Sequence, residues 1–213
     1  MLKSLIAASL ACATVLSSAA YAGPIPQNYY YRTSQNVKIN YALPVSCDTN
    51  IGAAAAAVNG LGTKFQLTGA RNYYTSTYYD ANQDPGFVNV QDASSMSSLM
   101  TTQRSYIVGS TTPYETTDSS VYINADRLYY DSGDTVKSTD FVCGDAVTAS
   151  NIGTRIDFQS ALTHEFGHVM GMDHRTDGTT GPCLMATYLN AGQIKRTFCT
   201  DEKGLMLGFY GAR

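Results

Sequence analysis

His164-Glu165-Phe166-Gly167-His168-Val169-Met170-Gly171-Met172-Asp173-His174 reads as the end of an amphipathic helix followed by a sharp reversal. Upstream, Asp157 is a plausible N-cap, and Phe158, Ala161, Leu162, Phe166, Val169 and Met170 recur at helical spacing as a buried stripe. His164 and His168 are four apart, so their side chains leave one side of the helix about 6 Å from each other. Gly171 then stops the helix, because the left-handed turn that reverses the chain is resisted by any side chain. After that reversal His174 can return toward the same point.

Two imidazoles one turn apart suit a tetrahedral zinc ion, and a third after the glycine turn completes a site with three protein ligands. A fourth position stays open for water, which separates a catalytic site from a structural one. Glu165 sits beside the first ligand, where its carboxylate can approach that water without ligating. The implied chemistry is metal-assisted hydrolysis of a peptide bond. Zinc acidifies its water and polarises the carbonyl, while Glu165 takes the proton and passes it to the departing nitrogen. The chain contains 3 His, and all of them lie in this stretch.

Working outward, Val37 to Tyr41 alternates apolar and polar residues as a half-buried strand does. Asp48 to Asn59 is an Ala-rich helix, with an Asp or Thr cap at its start and Gly60 as its stop. Further strands are expected at Phe65–Thr68, Gly86–Val90, Ser105–Gly109 and Ser120–Asn124. No repeat or linker divides the chain, so one layered domain of the α+β class is expected over residues 23–213.

Residues 1–22 read as a secretory signal peptide: a Lys3 start, an apolar Leu5–Leu16 run and an Ala20-Tyr21-Ala22 cleavage site. A lipoprotein signal using Cys12 is the minor alternative. The expected location is therefore extracellular. Removal of Cys12 leaves Cys47, Cys143, Cys183 and Cys199, enough for two disulfides with three possible connectivities. The preferred one joins Cys183 to Cys199 across a short loop and Cys47 to Cys143; a metal role for Cys47 stays open. Charged residues are 15% and the net charge is −3 over 213 residues, with no Lys/Arg cluster. That balance excludes a basic nucleic-acid footprint and a polybasic membrane surface. No later run reaches the roughly 20 apolar residues of a membrane span.

The pattern H-E-x-x-H-x-x-G-x-x-H resembles the metzincins, zinc metallopeptidases with a downstream Met-turn. Cys183-Leu184-Met185-Ala186-Thr187 is similar to that turn, with Met185 eleven residues after His174. The resemblance makes Met185 an apolar floor beneath the ligands. The match is nearest to matrixins over about residues 156–211, where Thr200 would cap a final helix ending near Tyr210-Gly211. It implies a twisted mixed sheet, two long helices, an active-site helix, and a smaller lobe carrying the Met-turn and C-terminal helix. An extended peptide would add to a sheet edge, for which Val121-Tyr122-Ile123-Asn124 is the candidate.

Several residues depart from that pattern. Arg175 stands where matrixins carry Ser, no His remains for a second zinc, and no cysteine latency motif is present. Calcium would call on Asp80, Asp84, Asp131 and Asp134, which equally suit turns. Tyr188 lies three residues after Met185, one further than the metal-approaching Tyr of astacins and serralysins. The expectation is a monomeric, secreted endopeptidase with one catalytic zinc and a polypeptide substrate. Its rivals are an exported zinc-containing binding module and a zinc amidase acting on cell-wall peptides.

Overall fold

The computed structural model describes residues 24–26, 29–31, 34–40, 43–74, 87–93, 96–106, 114–128, 140–144, 147–175 and 181–213. The signal segment with Cys12 and the four calcium candidates Asp80, Asp84, Asp131 and Asp134 lie outside these residues. Among the described residues the order is β1 (Pro24–Pro26), β2 (Tyr29–Tyr30), β3 (Gln35–Asn40), α1 (Asp48–Asn59), β4 (Leu67–Tyr74), β5 (Phe87–Ala93), β6 (Met100–Tyr106) and β7 (Tyr114–Asn124). There follow β8 (Phe141–Val142), β9 (Ile156–Asp157), α2 (Phe158–Val169), β10 (Met172–Arg175) and α3 (Thr200–Tyr210). The architecture is α+β, with a mixed sheet and three helices.

The main sheet runs β4-β3-β5-β7-β6, with β2 joined to the start of β7. Strands β3, β4, β5 and β7 are mutually parallel, and β6 is antiparallel to β7. Val88, Val90, Val121 and Ile123 supply the inner residues of β5 and β7, at most 1% exposed. Helix α1 packs on α2 and β4 through Ile51, Ala54, Ala55 and Val58. The small alanines let the two helices approach. Helix α2 buries Phe158, Leu162, Phe166 and Val169 against this layer.

Four local expectations are corrected. Neither Asp48 nor Thr49 caps α1: Cys47 holds that position, without a side-chain cap hydrogen bond, and Asp48 is the first helical residue. Val121, Tyr122 and Ile123 do not form a sheet edge, since β5 pairs with them on one side and β6 on the other. Among the described residues β6 is the outer strand on this side, and it begins at Met100, upstream of the expected Ser105 start. Its inward face is Met100, Thr102 and Arg104, too polar to register as hydrophobic alternation. Thr200 is the first residue of α3 rather than its cap: Cys199 takes that position, and its N–H donates to Glu202 Oε2 at 2.8 Å.

Both expected disulfides are present. Cys47, just before α1, is joined to Cys143 beyond β8, with Cα atoms 4.9 Å apart. This removes Cys47 as a metal ligand. Cys183 and Cys199 are joined at a Cα separation of 5.4 Å and span the segment that carries Met185.

Candidate metal centre

Helix α2 starts where its sequence signals that it should. Asp157 caps it, accepting from the Ser160 N–H at 3.0 Å. The same carboxylate, fully buried, takes Arg196 in a two-point grip, Nε to Oδ2 at 2.8 Å and Nη2 to Oδ1 at 2.6 Å. The helix ends at the glycine turn, where Gly171 has φ 93°. The next strand, β10, carries His174 back and is itself paired antiparallel with β1, Pro24 opposite Arg175 and Pro26 opposite Met172.

The three imidazoles meet through their Nε2 atoms, 3.1 Å apart for His164 and His168 and 3.3 Å for each of these to His174. His164 Nδ1 donates to the Leu184 carbonyl and His168 Nδ1 to the Met172 carbonyl, both at 2.8 Å. With the proton on Nδ1, each of these Nε2 atoms presents a lone pair to the common centre. Converging lone pairs repel, and a central cation turns that repulsion into ligation. Donors about 2.0–2.1 Å from a tetrahedral ion are about 3.3 Å from each other, which the observed separations match. The trio can therefore hold a metal ion. Burial lowers the pKa of His164 to about 3 and of His168 to about 4, with the neighbouring imidazoles adding to the effect, so both ligands are neutral at physiological pH.

Glu165 lies next to this centre, 7% exposed. Burial raises its pKa to about 7, against the opposing pull of the Thr102 hydroxyl and Arg104. Thr102 Oγ1 donates to Glu165 Oε2 at 2.7 Å and lies 3.2 Å from the Glu165 carbonyl. Arg104, two residues along β6, donates through Nη1 to the His168 carbonyl.

Met185 is fully buried against α2, and a Cβ placed on Gly167 would collide with its Sδ. Gly167 is thus the gap in α2 that admits the methionine side chain. The Met185 N–H donates to Glu202 Oε1 at 2.8 Å, and its carbonyl accepts from the Arg175 N–H at 2.9 Å. Arg175 Nη1 in turn pairs with Asp201 Oδ2 at 2.6 Å. The residue that departs from the matrixin pattern is therefore a tie between the third histidine, the Met185 turn and α3.

A cleft of about 600 Å³ opens over the histidines, walled by residues 97–102 and Arg104 on one side and by Thr187, Tyr188 and Leu189 on the other. Tyr188 lines it with 59% of its surface exposed. Cys183, Cys199 and Asp201 also bring ligand atoms within reach of one another, but both sulfurs are consumed by the disulfide.

The expected residues His164, Glu165, His168, His174 and Met185 come together. Thr102, Arg104, Arg175 and Glu202 were missed as parts of the site. Only Glu202 carried a signal, as the acid three residues after a helix cap. No helix among the described residues is long and apolar enough to cross a membrane. No protein-family model matches the chain, and no curated protein matches it.

Proposed function

We propose that the chain is an exported zinc endopeptidase of the metzincin type, with His164, His168 and His174 as ligands and Glu165 as general base and acid. The observation that carries this reading is the convergence of three Nε2 atoms within 3.3 Å, with a buried carboxylate on the adjacent residue. A purely structural metal site needs no such base. Zinc is the ion best suited to three neutral imidazoles, and it supplies Lewis acidity that activates water and polarises a peptide carbonyl.

The chain's own groups do the rest. Glu165 accepts the proton of the attacking water and later delivers it to the leaving amine nitrogen. Its place as the residue after the first histidine, with Thr102 donating to Oε2, sets one carboxylate oxygen toward the centre for this exchange. The two Nδ1 hydrogen bonds hold His164 and His168 in one tautomer and orientation. Met185 fills the space below them and fixes the depth at which the ligand rings sit. The side of β6 turned away from β7, which pairs with no strand among the described residues, would take an extended substrate by strand addition, carrying its scissile bond across the histidines.

Proteolysis of unfolded casein by residues 23–213 tests the reading. Wild type should cut, a chelator should stop it and zinc should restore it. Glu165→Ala should bind one zinc per chain and lose at least about 10²–10⁴-fold in rate. A zinc-loaded wild type that cleaves neither casein nor a broad peptide library removes the endopeptidase reading. Digestion of cell-wall peptides alone would move the assignment to an amidase.

A further inference from the structure

Along β6 the side chains of Thr102 and Arg104 lie two residues apart on one face, and both end on α2. Thr102 reaches Glu165 and Arg104 reaches His168, which lie three residues apart on one face of that helix. The outer strand of the sheet thus grips the helix at the residues that define the site. Behind this grip, Thr102 is paired with Val121 of β7, which is fully buried, so the strand is backed by the core. Thr is stiff about χ1, and a hydroxyl mounted on a paired strand is a donor whose position is set by the sheet. It engages Oε2, and Oε1 receives no hydrogen bond from the described residues.

We propose that Thr102 is a positioning residue for the general base. It holds the Glu165 carboxylate in one rotamer, with Oε1 left for the reacting water, and so ties the base to the strand along which substrate would lie. The inference rests on the endopeptidase reading for its kinetic meaning, while its geometric content stands apart. Substrate added to β6 would pair with the same strand that aims Glu165, so any shift of that strand on binding would be felt in kcat.

The test compares Thr102→Val, which keeps the shape and removes the hydroxyl, with Thr102→Ser, which keeps the hydroxyl. For cleavage of a peptide by the zinc-loaded protein, Thr102→Val should lower kcat by about 10–100-fold with KM within about threefold, the signature of misplacement rather than lost binding. Thr102→Ser should recover most of that loss. Crystal structures of both variants without metal supply the independent readout: in Thr102→Val the Glu165 carboxylate should leave its position, and in Thr102→Ser it should stay. An unmoved carboxylate in Thr102→Val, a wild-type kcat, or a serine variant as impaired as the valine overturns the proposal. If the carboxylate moves but wild type cuts no peptide, the positioning relation stands and the endopeptidase reading falls.

Discussion

Buried Glu165 and half-buried His164 and His168 all have pKa values moved toward the neutral form, and the sign of each shift predicts how the metal-free protein responds to pH. His164 and His168 protonate near pH 3 and 4 in the folded state, against an ordinary 6.5. The unfolded chain therefore binds more protons over that range, and their contribution to stability, full above pH 6.5, is lost on acidification toward pH 3. Glu165 runs the other way. It keeps its proton to about pH 7 when folded, against 4.5 ordinarily, so its contribution is full below pH 4.5 and is lost as pH rises to 7. Glu165→Gln should accordingly stabilise the metal-free protein by up to about 3 kcal/mol at pH 8 and by nothing at pH 4. Urea unfolding in the presence of a chelator measures this, and an equal gain at both pH values would refute it. A second residue-scale prediction concerns the gap at Gly167. Gly167→Ala should cost about 1–3 kcal/mol by overpacking against Met185, and most of that penalty should vanish in a Met185→Ala background. The ligands were legible from the sequence because helical spacing brings residues four apart together. Thr102 was not, since a threonine 63 residues upstream carries no mark of the carboxylate it will meet.

At the scale of elements, the limits of α2 and the Gly60 stop of α1 could be read because caps and stops act locally, whereas α1 starts after Cys47 without the expected side-chain cap. Asp157 announced the start of α2, and Gly171 its end. What Asp157 also does, gripping Arg196 across 39 residues of chain, depends on the return of a distant loop. Removing the arginine leaves a fully buried carboxylate without its cation. Arg196→Met should therefore cost about 3–5 kcal/mol, while Arg196→Met with Asp157→Asn should recover part of it. Thermal unfolding of the two single variants and the double variant provides the cycle. A double variant no better than the sum of the singles would show the pair to be uncoupled. The strand errors have a single origin. In β6 only Met100 of the inward face joins the core, while Thr102 and Arg104 reach the polar site on α2, so the alternation that betrays a strand is absent. Val121 to Ile123 reads as a strand from its own residues, yet whether a strand is central or outer is decided by its neighbours.

For the whole molecule, the α+β class followed from the order of periodic segments, whereas the sheet order β4-β3-β5-β7-β6 depends on crossovers that no local pattern encodes. The low charge content is met by polar side chains within the sheet, with Asn89, Ser119 and Ser120 all buried. Two cross-links constrain the unfolded chain, one between residues 96 apart and one between residues 16 apart. By loop entropy these contribute about 4.7 and 3 kcal/mol, so replacing Cys47 and Cys143 by Ala should lower the urea midpoint more than replacing Cys183 and Cys199. The shorter cross-link has a further consequence, for the order in which the protein is assembled. Until they are oxidised, Cys183 and Cys199 are two thiols with Asp201 alongside, and on the zinc reading proposed above they would compete with the histidines for the ion. A chain supplied with zinc while still reduced would load the wrong place and mask the thiols that must be joined. On that reading, dye titration should find one zinc per oxidised chain and a second in the folded, reduced one, and oxidation would have to come before the metal is delivered.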